Sequence, residues 1–252
     1  MTSKSGQLQN NNNEAQFNAY VASTESELTE CQVLRYGVFA EEMGANLDCR
    51  RDGIDEDYFD QYCKHLYVRS TETKEVIATT RVLISDQAKL AGRYYSESEF
   101  DLKNILRLKG TFLEIGRTCV RGEYRTGAAI NALWQRVAAT LIESNADYLF
   151  GCYSIPMHDR GRYINSLMDF VKKEYYAPEE YRVVPTTPVK IAADVNSNLD
   201  VVMPSLLKRY LNMGAFVCGE PCFDAAFNTA DLFIFLDRTR ISRNYARHFF
   251  KV

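Results

Sequence analysis

The chain has 252 residues, 46% of them apolar, enough for a sizeable core in one large domain, and no internal linker divides it. A formal net charge of −3 excludes the basic surface that a dedicated nucleic-acid binder needs. No apolar run nears the ~20 residues that span a bilayer, and the polar start carries no secretion signal, so a cytoplasmic protein is expected.

Residues 1–16 include Asn10 to Asn13 and almost no apolar side chains, and read as a disordered tail before one domain over 17–252. Alternation predicts a strand over 17–21, then a helix capped by Thr24 or Ser26 with Leu28, Cys31, Leu34, Val38 and Phe39 on its apolar face. Residues 42–61, rich in Asp, Gly and Arg, predict a long loop or lid. Strands are expected over 65–69 and 76–84, joined by a short polar turn. After a polar stretch with one helical turn, a further strand is expected over 111–120. The clearest element is a helix over 128–143, with Ile130, Leu133, Trp134, Val137 and Leu141 at helical spacing just after Gly127. A buried strand over 148–153 follows, then a helical piece and two Pro-marked turns within 158–200. A helix over 206–213 stops at Gly214. Strands near Phe216 and over 232–236 come next, and a basic helix from Ser242 closes the chain. The order is that of a mixed α/β fold in which the central strand feeds the central helix.

Several charges interrupt apolar segments, where burial is costly without a partner. Arg35 and Phe39 lie one helical turn apart; Asp57 and Asp60 are interleaved with Tyr58 and Phe59; Arg81 sits inside one predicted strand, and Glu114 and Arg117 inside another. Any one of these reads equally well as a structural ion pair. Together they describe a cleft in which a carboxylate removes an amine proton while arginines clamp a carboxylate or phosphate. Metal binding is not expected: Cys218 and Cys222 form the only close pair of the seven cysteines, and His65, His158 and His248 are scattered. Cys119 and Cys152 read as core packing.

Arg35-Tyr36-Gly37-Val38-Phe39, Asp57-Tyr58-Phe59-Asp60, Thr80-Arg81-Val82-Leu83 and Glu114-Ile115-Gly116-Arg117 resemble, in order, the four signature segments of acyl-homoserine-lactone autoinducer synthases. The fuller resemblance is to their relatives, the "hemolysin-like" ornithine N-acyltransferases that begin ornithine-lipid synthesis. It runs through the segment from Tyr94 to Phe100, Leu133-Trp134, Gly151-Cys152-Tyr153-Ser154, Cys218-Gly219-Glu220-Pro221 and the segment from Phe227 to Asp231, covering roughly residues 30–250.

The resemblance implies a GNAT-like fold, with a central mixed twisted sheet flanked by helices and a bulged central strand. It implies transfer of a (3-hydroxy) fatty-acyl group from acyl carrier protein to an amino-acid α-amine, with ornithine as the family's acceptor. It carries the site onto Arg35, Phe39, Asp57, Asp60, Arg81, Glu114 and Arg117. Glu114 becomes the base, directly or through a water. Arg81 and Arg117 order carboxylates, and Asp57 and Asp60 organise the lid. Ideal strand spacing sets Glu114 and Arg117 on opposite faces, so a bulge near Gly116 is expected to bring both to one cleft.

The phosphate loop of the superfamily falls on Tyr124-Arg125-Thr126-Gly127-Ala128-Ala129, with Tyr124 in place of the usual Gln or Arg. Arg121, Tyr124, Arg125, Gly127 and Ala129 are therefore the candidate phosphopantetheine contacts. The departure favours a carrier-protein thioester over coenzyme A, with no tightly bound cofactor. Lys103, Arg107, Lys109, Arg121, Arg125 and Arg136 are the expected docking charges for acidic carrier protein. The basic, amphipathic stretch over 238–252 is expected either to rest on an anionic membrane at its inner face or to pack as a terminal helix. The rival readings are an autoinducer synthase, another N-acyl amino acid synthase, and a non-catalytic acyl-binding or regulatory protein of the same fold.

Overall fold

The computed structural model describes residues 16–49, 51–159, 161–190 and 202–241. The expected tail, but for Gln16, and the basic helix expected from Ser242 lie outside them. Strands β1 (Phe17–Val21), β2 (Lys64–Ser70) and β3 (Val76–Ile84) form an antiparallel meander, continued by β5 (Phe112–Val120) on β3. The two-residue strand β4 (Phe100–Asp101) stands apart from this sheet. Next to β5 lies β6 (Tyr148–Pro156), parallel to it, and its connection is α4 (Ala128–Glu143), a βαβ crossover. Antiparallel β10 (Thr229–Asp237) follows β6, with the short β8 (Phe216–Val217) and β9 (Cys222–Asp224) on its far edge. β3 and β10 are buried along nearly their whole length, including their charged residues Arg81 and Asp231.

One face of the sheet is covered by α4, whose Leu133, Val137 and Leu141 pack on Leu66, Val68, Ile77 and Leu113. Further along that face α5 (Arg162–Glu174) and α6 (Ser205–Met213) cover β10 and β6. The opposite face is covered by α1 (Glu25–Tyr36), through Cys31 and Leu34, and by the segment from residue 85 to 106. Thr24 caps α1 in a capping box with Glu27, and α1 runs on into a π-helical turn, Gly37–Glu42, that carries Phe39.

The segment from 85 to 106 holds more structure than the single helical turn expected. It contains α2 (Ser85–Ala91), a 3₁₀ turn at Tyr95–Ser98, β4 and α3 (Lys103–Leu106); β4 pairs with β7 (Val184–Pro185) outside the main sheet. β6 extends three residues beyond the strand expected to end at 153, because its partner β10 runs alongside it from Thr229↔Pro156 to Asp237↔Tyr148. The lid remains largely irregular, with a tight turn at Arg51↔Ile54 and a 3₁₀ turn at Asp60–Tyr62.

Candidate active site

β5 and β6 pair from Phe112↔Tyr148 to Ile115↔Gly151 and then part. Gly151 marks the last contact: a Cβ there would meet the Ile115 carbonyl oxygen at 2.3 Å, so only glycine lets the strands approach so closely before they separate. On its other edge β5 stays with β3, but Arg81 faces Gly116 while Thr79 faces Cys119, so β5 carries one extra residue. The expected bulge therefore exists, and its strained residue is Arg117 (φ 52°), one position after Gly116. The extra residue turns Arg117 to the side of the sheet that Glu114 faces, and both reach Tyr95, Glu114 at its main-chain N–H and Arg117 at its hydroxyl.

The parting strands open a cavity of about 550 Å³. Its walls are largely apolar where they come from the helix face, with Trp134, Leu149, Tyr153, Tyr210, Met213 and Leu236. They are polar where they come from the lid face, with Tyr95, Ser96, Glu99, Arg117, Asp224 and Asp231. Along the gap itself, residues 116–120 of β5 present main-chain groups no longer used by β6.

Beside the polar mouth, three arginines and three aspartates alternate in a closed ring. Arg35 grips Asp60 (2.9 Å), Asp60 takes Arg81 (2.8 Å), Arg81 also holds Asp57, Asp57 faces Arg117 (3.5 Å), Arg117 faces Asp55 (3.4 Å), and Asp55 returns to Arg35 (2.8 Å). Arg35 is fully buried, which is tolerable only because its guanidinium is saturated by carboxylates. Burial pushes the Asp60 carboxyl up, yet the hydrogen bonds and charge of Arg35, with Arg81, hold it well below the usual carboxylate range. Arg117 is the loosest member. Its two ion contacts are the longest in the ring, its Nε has no hydrogen bond, and its side chain is 14% exposed into the cavity. Tyr95 and Phe227 flank its guanidinium, each 5.2 Å from ring centre to carbon, and Phe39 stands edge-on to Phe227. Asp55, the ring's sixth member, was not among the sequence candidates; only its Asp-rich surroundings pointed to it.

Glu114 is buried, and its two carboxylate oxygens accept the main-chain N–H groups of Tyr95 (2.8 Å) and Ser96 (2.7 Å). Burial raises its pKa against those hydrogen bonds. Glu114 thus fixes the 3₁₀ turn that carries Tyr95 and Ser96 to the cavity, and it does not itself line the wall.

A second carboxyl does. Glu99, at the end of that turn, lies against Asp231 of β10 and Cys152 of β6. Burial first, then the charge of Asp231, pushes the Glu99 carboxyl up to about 8, and Asp231 is raised as well. Burial lifts the Cys152 thiol far above its ordinary range. These three residues are widely separated in sequence, so no local spacing announces them.

The candidate donor-loop residues divide. Arg125 and Gly127 line the cavity, and Gly127 (φ 97°) opens α4 without a side-chain cap. Ala129 is buried in the core, Tyr124 packs edge-on to Phe17, and Arg121 faces away to Glu75 (2.9 Å). Of the six docking charges, four are paired: Lys103 with Asp101, Arg121 with Glu75, Arg125 with Glu42 and Arg136 with Glu143. They do not form one patch either. Lys103, Arg107 and Lys109 precede β5 and Arg121 and Arg125 follow it, so the nine-residue strand separates them by roughly 30 Å.

A sheet whose central parallel strands part over a cavity, with a bulge in the first and a helix entering from its end, defines a GNAT-type acyltransferase. The family described as Acetyltransferase (GNAT) domain matches residues 34–135. The fold is shared with the acyl-homoserine-lactone synthase LasI (TM-score 0.54, 11% identity, 93% of this chain and 95% of that one). It is shared also with FeeM, an N-acyl amino acid synthase from uncultured soil microbes (TM-score 0.52, 10% identity, 89% and 94%). Among curated proteins, the chain is 32% identical to the L-ornithine N(alpha)-acyltransferase of Rhizobium meliloti, over 93% of this chain and 84% of the relative. It is 33% identical to that of Rhodobacter capsulatus, over 89% and 91%. The chain belongs to the L-ornithine N(alpha)-acyltransferase family. Among the described residues, no helix is long and apolar enough to cross a membrane.

Proposed function

We propose that the protein moves a (3-hydroxy) fatty-acyl group from the phosphopantetheine thioester of acyl carrier protein to the α-amine of L-ornithine, the first step of an aminolipid synthesis. The observation that carries this reading is the passage between β5 and β6, which joins an apolar wall on one face of the sheet to a polar, charged wall on the other. An acyl chain lies along Trp134, Tyr210 and Met213 on the apolar side. An amino acid enters on the lid side, its carboxylate drawn to Arg117. The thioester carbonyl sits at the gap, where main-chain N–H groups of β5 polarise it. The pantetheine phosphate rests by Gly127 at the uncapped start of α4, beside Arg125. Arg35, Asp55, Asp57, Asp60 and Arg81 hold the lid and Arg117 in place, and Glu114 holds the turn that closes the polar side. The relatives' name supports ornithine as acceptor.

Purified protein is incubated with 3-hydroxyacyl carrier protein or the matching coenzyme A thioester and a panel of amino acids, with products read by mass spectrometry. The expected result is N-acylornithine from the carrier-protein donor, and its loss in Arg117→Ala. Release of free thiol with no acylated amine, or equal use of every amino acid, contradicts this reading.

A further inference from the structure

Three carboxyls line the polar wall, Glu99, Asp224 and Asp231, and none of them belongs to the ring of arginines and aspartates. Glu99 is 9% exposed, and its Oε2 is buried without a hydrogen-bond donor while the residue faces the cavity. Its neighbours in the wall include acids, thiols and a phenol, and Arg117 lies beyond Tyr95. From β10 comes Asp231, 4% exposed; from β9, Asp224 and Cys222; from β6, Cys152; and from the preceding turn, Tyr95. Among the described residues no lysine, arginine or histidine makes an ion pair with Glu99 or Asp231. Two carboxyls crowded in a dry wall cannot both ionise readily, so they share a proton until a cation or a proton donor arrives. The acceptor of an acyltransferase arrives as an ammonium ion. Glu114, the family's expected base, has both oxygens engaged by main-chain N–H groups.

We propose that Glu99, set against Asp231, is the group that takes the proton from the acceptor's ammonium in the acyl transfer described above, on which this proposal rests. Two protons leave the nitrogen. The first passes from R–NH₃⁺ to the Glu99 carboxylate, giving a free amine and a neutral Glu99. The amine lone pair then forms the C–N bond at the thioester carbon. As the tetrahedral intermediate collapses, the C–S bond breaks, and the second nitrogen proton goes to the departing thiolate as the amide forms. Glu99 returns its proton to solvent. Asp231 is a positioning residue, keeping the affinity of Glu99 for a proton close to that of the amine it serves. The value near 8 suits this task, because a base of ordinary carboxylate strength would draw the proton too weakly. Cys152, its thiol raised by burial, stays protonated beside the pair, and one atom from each of Glu99, Cys152 and Asp231 lies within 4.8 Å of the others.

The test compares wild type, Glu99→Gln and Asp231→Asn across pH with two acceptors: L-ornithine, and hydroxylamine, whose nitrogen is already unprotonated at neutral pH. With ornithine, Glu99→Gln is expected to lower kcat by about 10²–10⁴-fold while leaving KM for the carrier protein unchanged. With hydroxylamine, counted over its uncatalysed cleavage of the thioester, the same variant is expected to work nearly as well as wild type. Asp231→Asn is expected to move the acid limb of the ornithine rate profile to lower pH, since the amine's own titration is common to both proteins. An unchanged kcat for ornithine in Glu99→Gln overturns the proposal, as does a parallel loss with hydroxylamine, which marks a structural role. Failure of wild type to acylate any amine overturns the acyl-transfer reading itself, and that failure is seen before any variant is made.

Discussion

At the scale of single residues, the site contains carboxyls displaced in opposite directions, and the two displacements act oppositely on stability. Glu99 moves from an ordinary 4.5 to about 8, so between those values the folded protein holds a proton that the unfolded chain has released. Its contribution is present at low pH and is lost as pH rises through about 8. Glu99→Gln, which never ionises, is therefore expected to melt above wild type at pH 8–9, with the gap closing near pH 5; thermal scans at both values check this. A melting temperature lower than wild type at pH 9 would contradict it. Such a gain in stability on loss of a charged group is expected where activity requires that group in a dry wall. Asp60 behaves conversely. Held below the usual range by Arg35 and Arg81, it contributes stability that is full above its unfolded pKa and lost as pH falls through the acid range. Asp60→Asn leaves Arg35 and Arg81 buried with an uncompensated charge, and chemical denaturation is expected to show a loss of about 3–5 kcal/mol.

At the scale of elements, the parting of β5 from β6 depends on two neighbouring features, the close approach at Gly151 and the extra residue at Arg117. Gly151→Ala is expected to abolish acyl transfer and lower the melting temperature, because the new methyl meets main chain rather than a movable side chain. Activity close to wild type would show that the strands can separate earlier without cost. The helix α4 and the strands β3 and β5 were legible because hydrophobic periodicity over nine to sixteen residues is a local signal. Arg35, Asp57, Asp60, Arg81 and Arg117 were legible too, since a charge inside an apolar run is visible without knowing its partner. The pair of Glu99 and Asp231 was not: Glu99 reads as one of several acids in a polar stretch, and only the packing of that turn over β6 and β10 joins the two. The same limit explains Asp55, and it explains why Ala129 and Tyr124, within two residues of the cavity-lining Gly127 and Arg125, point instead into the core and against Phe17. The bulge falls near Gly116, as expected, with its positive φ one residue further on. Glycine was the residue most able to accept it, but the pairing of Arg81 with Gly116 keeps that position regular and moves the positive φ to Arg117.

At the scale of the whole molecule, the proposed reaction requires the two substrates to approach from opposite faces of one sheet. The helix face offers an apolar channel and the start of α4; the lid face offers the ring of arginines and aspartates and the carboxyl pair. The basic residues that precede β5 lie at the far end of the strand from the cavity-lining Arg125, so on the proposed function a carrier protein delivering its arm by Gly127 is expected to meet Arg125 and the neighbouring Arg121 rather than Lys103, Arg107 and Lys109. Reversal of Arg121 and Arg125 to Glu is expected to raise the KM for carrier protein with kcat preserved, while reversal of Lys103 and Arg107 leaves both unchanged; steady-state kinetics distinguish the two ends. The most direct measurement is a crystal structure with a bisubstrate analogue in which the ornithine nitrogen and a phosphopantetheine thioether are joined through a fatty-acyl carbon. The analogue is expected to thread the gap between β5 and β6, its alkyl chain against Trp134 and Met213, its carboxylate on Arg117 and its nitrogen beside Glu99. An analogue bound on one face only, or in the groove between α1 and the Arg121–Glu75 pair, would contradict it.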